Sequence, residues 1–133
     1  MNIGQAAGHS GISAKTIRYY ESIGLIPEAS RTDSGYRTYG DKDVERLRFI
    51  HHSRNLGFSV KDVSLLLDLW GNQKRASADV KALALSHIDE VDRKIAELQK
   101  IRDTLTHLTH RCHGDNRPDC PILKELAGET VDA

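Results

Sequence analysis

Cys112 and Cys120, separated by seven residues, are the side chains of this 133-residue sequence best suited to chemistry. Thiolates are soft ligands that select Cu(I), Ag(I), Zn(II) or iron–sulfur clusters over hard cations. Two sulfurs suit a linear, two-coordinate Cu(I). A structural Zn(II) wants four ligands, and His107, His110 and His113 stand close enough in sequence to complete such a set. Their ordinary reading is solvated surface imidazoles, and their role stays open. Two thiolates around one monovalent ion leave a net negative charge, which is costly to bury uncompensated. Arg111 or Arg117, or the N-terminus of the helix that follows, can offset it. A reversible disulfide is also open to the pair, which would make it a thiol redox sensor.

A second constellation sits near the start of the chain. The net charge is zero, so a basic surface must come from placement. Ser13 to Tyr20 holds two cations and no anion, and Ser34 to Gly40 holds one cation and no anion. Such local patches bind phosphate even on a neutral chain. Ser13, Lys15, Thr16, Arg18 and Tyr19 make the polar face of a short helix, with Ile17 behind it. The second helix of a helix-turn-helix carries such a face into the major groove of double-stranded DNA. Arg18 suits a phosphate or a guanine edge, and the Tyr20 hydroxyl suits a phosphate. Tyr36 and Arg37 flank Gly35, where a hairpin tip can reach the DNA backbone or the minor groove. Arg54, at the end of a third helix, adds a candidate phosphate contact. Exposed Arg and Tyr are ordinarily just solvated; the combination of helix-turn-helix and basic hairpin is what points to DNA.

These residues need elements to position them. Ile3 to Ala7 reads as a helical turn stopping at Gly8, with a tight turn at Ser10-Gly11-Ile12. Ser13 is a good N-cap for a helix over Ala14 to Ile23, closed by Gly24. Pro27 breaks the chain, and Arg31 to Tyr39, with Asp33-Ser34-Gly35 at its centre, reads as a hairpin. Asp41 is the expected cap for Val44 to Asn55, whose Val44, Leu47 and Ile50 have helical spacing. Gly57 ends that helix. Ser59-Val60-Lys61-Asp62 resembles a capping box ahead of a helix bearing Val63, Leu66, Leu67 and Trp70.

Gly71 to Ala76 is polar, and Ser77 to about His110 then runs without Gly or Pro. Val91, Leu98 and Leu105 recur every seven residues, as do Ile88 and Ile95, with Ile101 taking over on the next row. A helix of roughly 34 residues is about 50 Å long, and a coiled coil with a second copy, antiparallel or parallel, is the economical cover for its apolar stripe. Arg111 to Cys120 is loop by composition, and Pro121 opens a short helix over Ile122 to Ala127. The domain reading is a helix-turn-helix domain over 1–70, a linker over 71–76, a dimerisation helix over 77–110, and a metal loop, short helix and tail over 111–133.

Composition fits a mainly α chain. Hydrophobic residues are 38% and aromatics 5%, a lean core for one globule, while charged residues are 29%. Met1-Asn2-Ile3-Gly4-Gln5 lacks the features of a signal peptide, and no apolar run of about 18 residues exists to span a membrane. The expectation is a cytoplasmic protein, where disulfides are rare and a cysteine pair reads as metal or redox before staple. No nucleophile, base and orienting group can be assembled, so an enzyme is not expected.

Ile3-Gly4-Gln5-Ala6-Ala7, Thr16-Ile17-Arg18-Tyr19-Tyr20-Glu21, Gly24-Leu25-Ile26 and Gly35-Tyr36-Arg37-Thr38-Tyr39 closely resemble the MerR family of transcription regulators. The resemblance is dense over the first 70 residues and extends to the long helix by architecture. It implies a winged helix-turn-helix, a long antiparallel dimerisation helix and a C-terminal effector region. It also implies a mechanism in which the effector-bound homodimer bends and untwists an overlong promoter spacer so that RNA polymerase can use it. Such deformation is a matter of a few kcal/mol, which a ligand can tip. The Cys-x7-Cys pair followed by Pro121 is similar to the copper-efflux, CueR-type branch. By that resemblance, the branch sensing divalent ions has a third cysteine where the long helix begins, and the monovalent branch has serine. Here the residue is Ser77. The resemblance places Ser77 of the partner subunit near the site without ligating, and implies Cu(I), or alternatively Ag(I) or Au(I), as effector of an activator of copper detoxification genes. The alternatives are a divalent-metal sensor or a redox sensor of the same fold.

Overall fold

The structure, a computed structural model, describes residues 1–112, 114, 115, 118 and 120–129. It is mainly helical, and it divides into two compact units, Met1–Ala84 and Leu85–Ala133.

The first helix, α1 (Ile3–Ser10), is opened by a reciprocal cap. The Gln5 amide donates to the Asn2 side chain at 2.8 Å, and the Asn2 amide donates to the Gln5 side chain at 2.9 Å. Gly8 does not stop this helix, as its sequence suggested. The left-handed exit falls three residues later at Gly11 (φ 80°), whose N–H donates to the Ala7 carbonyl. Glycine is required there twice over, because a Cβ would also lie 3.0 Å from His51 Nε2. Ser13 then caps α2 (Ala14–Ser22) as expected, its hydroxyl accepting from the Thr16 amide at 3.2 Å.

A two-stranded wing follows. Strands β1 (Ser30–Arg31) and β2 (Arg37–Thr38) pair antiparallel, with Ser30 opposite Thr38 and Arg31 opposite Arg37. The tip closes by Gly35 N–H donating to the Thr32 carbonyl and Thr32 N–H donating to the Tyr36 carbonyl, each at 2.8 Å. Gly35 takes φ 87°. Beyond the wing, Tyr39 and Met1 exchange two backbone hydrogen bonds of 2.7 Å each, which ties the hairpin to the start of α1.

Helix α3 (Asp41–Asn55) is capped at Gly40 rather than Asp41. The Gly40 amide donates to the Asp43 carboxylate at 2.8 Å, so Asp41 is the first helical residue. Asp41 and Asp43 both complement the positive end of the helix dipole. Helix α4 (Val60–Gly71) starts at Ser59, whose hydroxyl accepts from the Asp62 amide. Helix α3 packs against both α1 and α4, and α1 packs against α2. Ile17, Leu47, Ile50 and Val63 are fully buried where these helices meet. Each such side chain contributes about 1.5–3 kcal/mol of transfer free energy. Trp70 lies outside this core, half exposed and stacked on Phe49 with ring centroids 4.5 Å apart.

Helix α5 (Ser77–Arg111) is continuous over 35 residues. In the second unit Ile88, Val91, Ile95, Leu98, Ile101 and Leu105 are exposed along it. Helix α6 (Pro121–Leu126) opens at Pro121, as expected, and ends one residue before the expected Ala127. Ile101, Leu105 and Leu108 of α5 share an apolar cleft of about 270 Å³ with Ile122 and Leu126 of α6.

Candidate nucleic-acid interface and metal loop

Helix α2 has two faces because its apolar residues are three apart. Ile17 and Tyr20 point into the core, and Lys15, Arg18 and Tyr19 are exposed. Thr16 is half-buried at the first turn, where its hydroxyl accepts from that of Ser13 at 2.9 Å. Tyr20, expected as a phosphate contact, packs in the core and is 7% exposed. Its position three residues after Ile17 carried that signal.

The wing brings a second set of cations to the same surface. Arg18 of α2 and Arg31, Tyr36 and Arg37 of the wing line one groove of about 380 Å³. Tyr36 is 75% exposed at the tip. Three guanidinium groups around one groove make a site that favours phosphate. Arg31 was not singled out from sequence; its strand pairing with Arg37 is what places it here. Its Nη1 also donates to the Gly35 carbonyl at 2.8 Å, which stiffens the tip.

Arg37 is less free than an exposed hairpin arginine. Its Nε donates to Glu21 Oε2 at 3.1 Å. The Tyr39 hydroxyl donates to the other oxygen of the same carboxylate at 2.5 Å. Burial and the hydrogen bond to Glu21 hold the Tyr39 phenol well above its ordinary range, with the Glu21 charge adding to the effect. Arg54 lies apart from this groove. It is exposed, and its Nη1 donates to the Phe58 carbonyl at 2.7 Å, closing the turn between α3 and α4.

The two cysteines flank the segment between α5 and α6. Cys112 directly follows α5, its N–H donating to the Leu108 carbonyl at 3.1 Å. Cys120 is the N-cap residue of α6. Both are half-buried, and neither is in a disulfide. Gly114 between them has φ 66°, a left-handed backbone that helps turn the chain. Among the described residues, no group of three or more His, Cys, Asp and Glu is gathered to hold a metal ion. His107 and His110 are exposed on the last turns of α5. His113 and Arg117, considered as ligand and counter-charge, lie outside the described residues. Ser77 is the first residue of α5.

Comparison with known proteins matches most of the chain's length. The family described as "MerR HTH family regulatory protein" matches residues 1–70, and "MerR, DNA binding" matches residues 44–108. The chain is 60% identical to "Heavy metal-dependent transcription regulator 2" of Rhizobium meliloti (strain 1021), covering 96% of this chain and 86% of that one. It is 40% identical to the "HTH-type transcriptional regulator CueR" of Salmonella typhimurium, over 96% of this chain and 93% of that one. Among solved structures, the regulator PbrR691 from Ralstonia metallidurans CH34, in complex with lead(II), superposes with a TM-score of 0.79 at 31% identity. That match covers 95% of this chain and 98% of the other. A helix-turn-helix with a basic wing, a long helix after it, and matches of this extent together make the chain a member of the MerR family of transcription regulators, which bind DNA and are not enzymes.

Proposed function

We propose that this protein is a cytoplasmic, Cu(I)-responsive activator of copper detoxification genes. It binds promoter DNA as a homodimer through Lys15, Thr16, Arg18, Tyr19, Tyr36, Arg37 and Arg54. Metal capture by Cys112 and Cys120 biases the dimer toward a conformation that distorts the promoter for RNA polymerase. The domain division follows the same lines: DNA binding in 1–70, dimerisation along 77–110, sensing in 111–133.

The observation that carries the reading is the donor inventory. The loop offers two thiolates next to α6, and α5 opens with Ser77 where a divalent-ion sensor of the family would bring a third sulfur. Two soft donors select a linear monovalent ion. Relatives named as a heavy metal-dependent regulator and as CueR support a metal effector. The lead(II) complex of the structural neighbour supports a second reading, a divalent ion with more ligands.

Anaerobic titration with Cu(I), Ag(I), Zn(II) and Pb(II), followed by X-ray absorption at the bound metal, separates the two. The expected result is one Cu(I) per protomer with two sulfur neighbours in line, and loss of binding in Cys112→Ser and Cys120→Ser. A Zn(II) or Pb(II) centre of three or four ligands, bound more tightly than Cu(I), would overturn it.

A further inference from the structure

We propose that Glu21 is a positioning residue that locks the wing to the recognition helix, and that this clamp sets how sharply the protein tells its own DNA sequence from any other duplex. The proposal rests on the DNA-binding reading and adds a residue that does not touch DNA.

The Glu21 side chain is 6% exposed, the most enclosed partner of any ion pair between described residues. A carboxylate is kept at such a place only when its oxygens are matched by donors. Both are matched from the wing side. Oε1 accepts from Tyr39 and Oε2 from Arg37, which stand two positions apart, Arg37 in β2 and Tyr39 just after it, a spacing that puts the side chains of extended backbone on one face. One side chain near the end of α2 thus holds β2 at Arg37 and the chain just beyond it at Tyr39. Tyr39 is 3% exposed, so its hydroxyl is held by packing as well as by the hydrogen bond.

The consequence follows from geometry. Arg37 lines the groove that Arg18 reaches from α2, so one guanidinium belongs to both the clamp and the proposed phosphate surface. With the clamp closed, helix and wing form a rigid pair at fixed separation. Only a duplex whose groove and backbone match that separation engages both, which is recognition through shape. With the clamp open, each part still attracts phosphate, but independently of sequence.

The test uses the full chain. Duplexes are enriched from a random library on the unsubstituted protein, and binding of an enriched and a scrambled duplex is measured by fluorescence anisotropy. Glu21→Gln should weaken the enriched duplex by about tenfold or more, the loss of a hydrogen bond to a charged partner. The scrambled duplex should be bound within about twofold of the parent, since phosphate attraction is kept. Tyr39→Phe keeps the buried ring and removes one arm of the clamp; it should give a smaller loss in the same direction with unchanged helical circular dichroism. It is also the deciding variant if Glu21→Gln does not fold. In the parent, the Arg37 Nε–H should exchange slowly in NMR spectra, and in Glu21→Gln rapidly. Equal weakening of both duplexes, or no weakening of the enriched one by a folded variant, would overturn the clamp. Failure of the unsubstituted chain to enrich any duplex would sink the DNA-binding reading beneath it and the clamp with it.

Discussion

Tyr39 shows how much one buried hydroxyl can carry. Its phenol is pushed up first by burial and then by Glu21, so the folded state favours the neutral form. The stabilisation is complete below the ordinary phenol value of about 10 and is lost as pH rises through that value toward the raised native one. Urea unfolding from about pH 8 to 11 should therefore show a fall in stability that is shallower in Tyr39→Phe. Parallel curves for the two proteins would mean that Tyr39 is not the titrating group. The neighbouring tyrosines show what can be read at this scale. Tyr19 and Tyr20 are adjacent in sequence, yet one is exposed and one is core. Helical spacing from Ile17 is enough to separate them. Glu21 left no such trace, because its partners lie 16 and 18 residues further on and a fold must bring them together.

At the scale of elements, α5 is the most legible part of the chain. Its seven-residue rows and lack of Gly and Pro predict a long helix, and the structure has one from Ser77 to Arg111. The exposed row along it is the surface proposed to pair with a second copy. A charge placed there, Ile95→Asp, should shift sedimentation from dimer to monomer while α5 stays helical, because a buried unpaired carboxylate is expensive. A variant that sediments as a dimer would place the interface elsewhere. Helix ends were harder to read. Gly8 looked like a stop and Asp41 like a cap, and neither is. Glycine tolerates helical as well as left-handed backbone, so sequence alone does not choose between Gly8 and Gly11. His51, forty residues away, crowds Gly11 and adds a constraint that no local pattern shows.

The molecule as a whole is electrically neutral, yet the groove between α2 and the wing gathers Arg18, Arg31 and Arg37. Attraction to DNA must then be local. Affinity should fall steeply between about 50 and 200 mM salt, and Arg18→Ala should lower the slope of log K against log salt by about 1 if Arg18 meets a phosphate. An unchanged slope would leave Arg18 outside the phosphate contacts. The exposed row of α5 has a further consequence, one for genetics. A dimer is only as good as both of its members. An allele that keeps α5 intact but has lost Arg18 still pairs with the normal product and spoils it. In a cell expressing both, random pairing leaves only a minority of dimers with two sound DNA faces. Loss of the binding face should therefore behave as dominant, whereas loss of the α5 row should be recessive, because a copy that cannot pair cannot interfere.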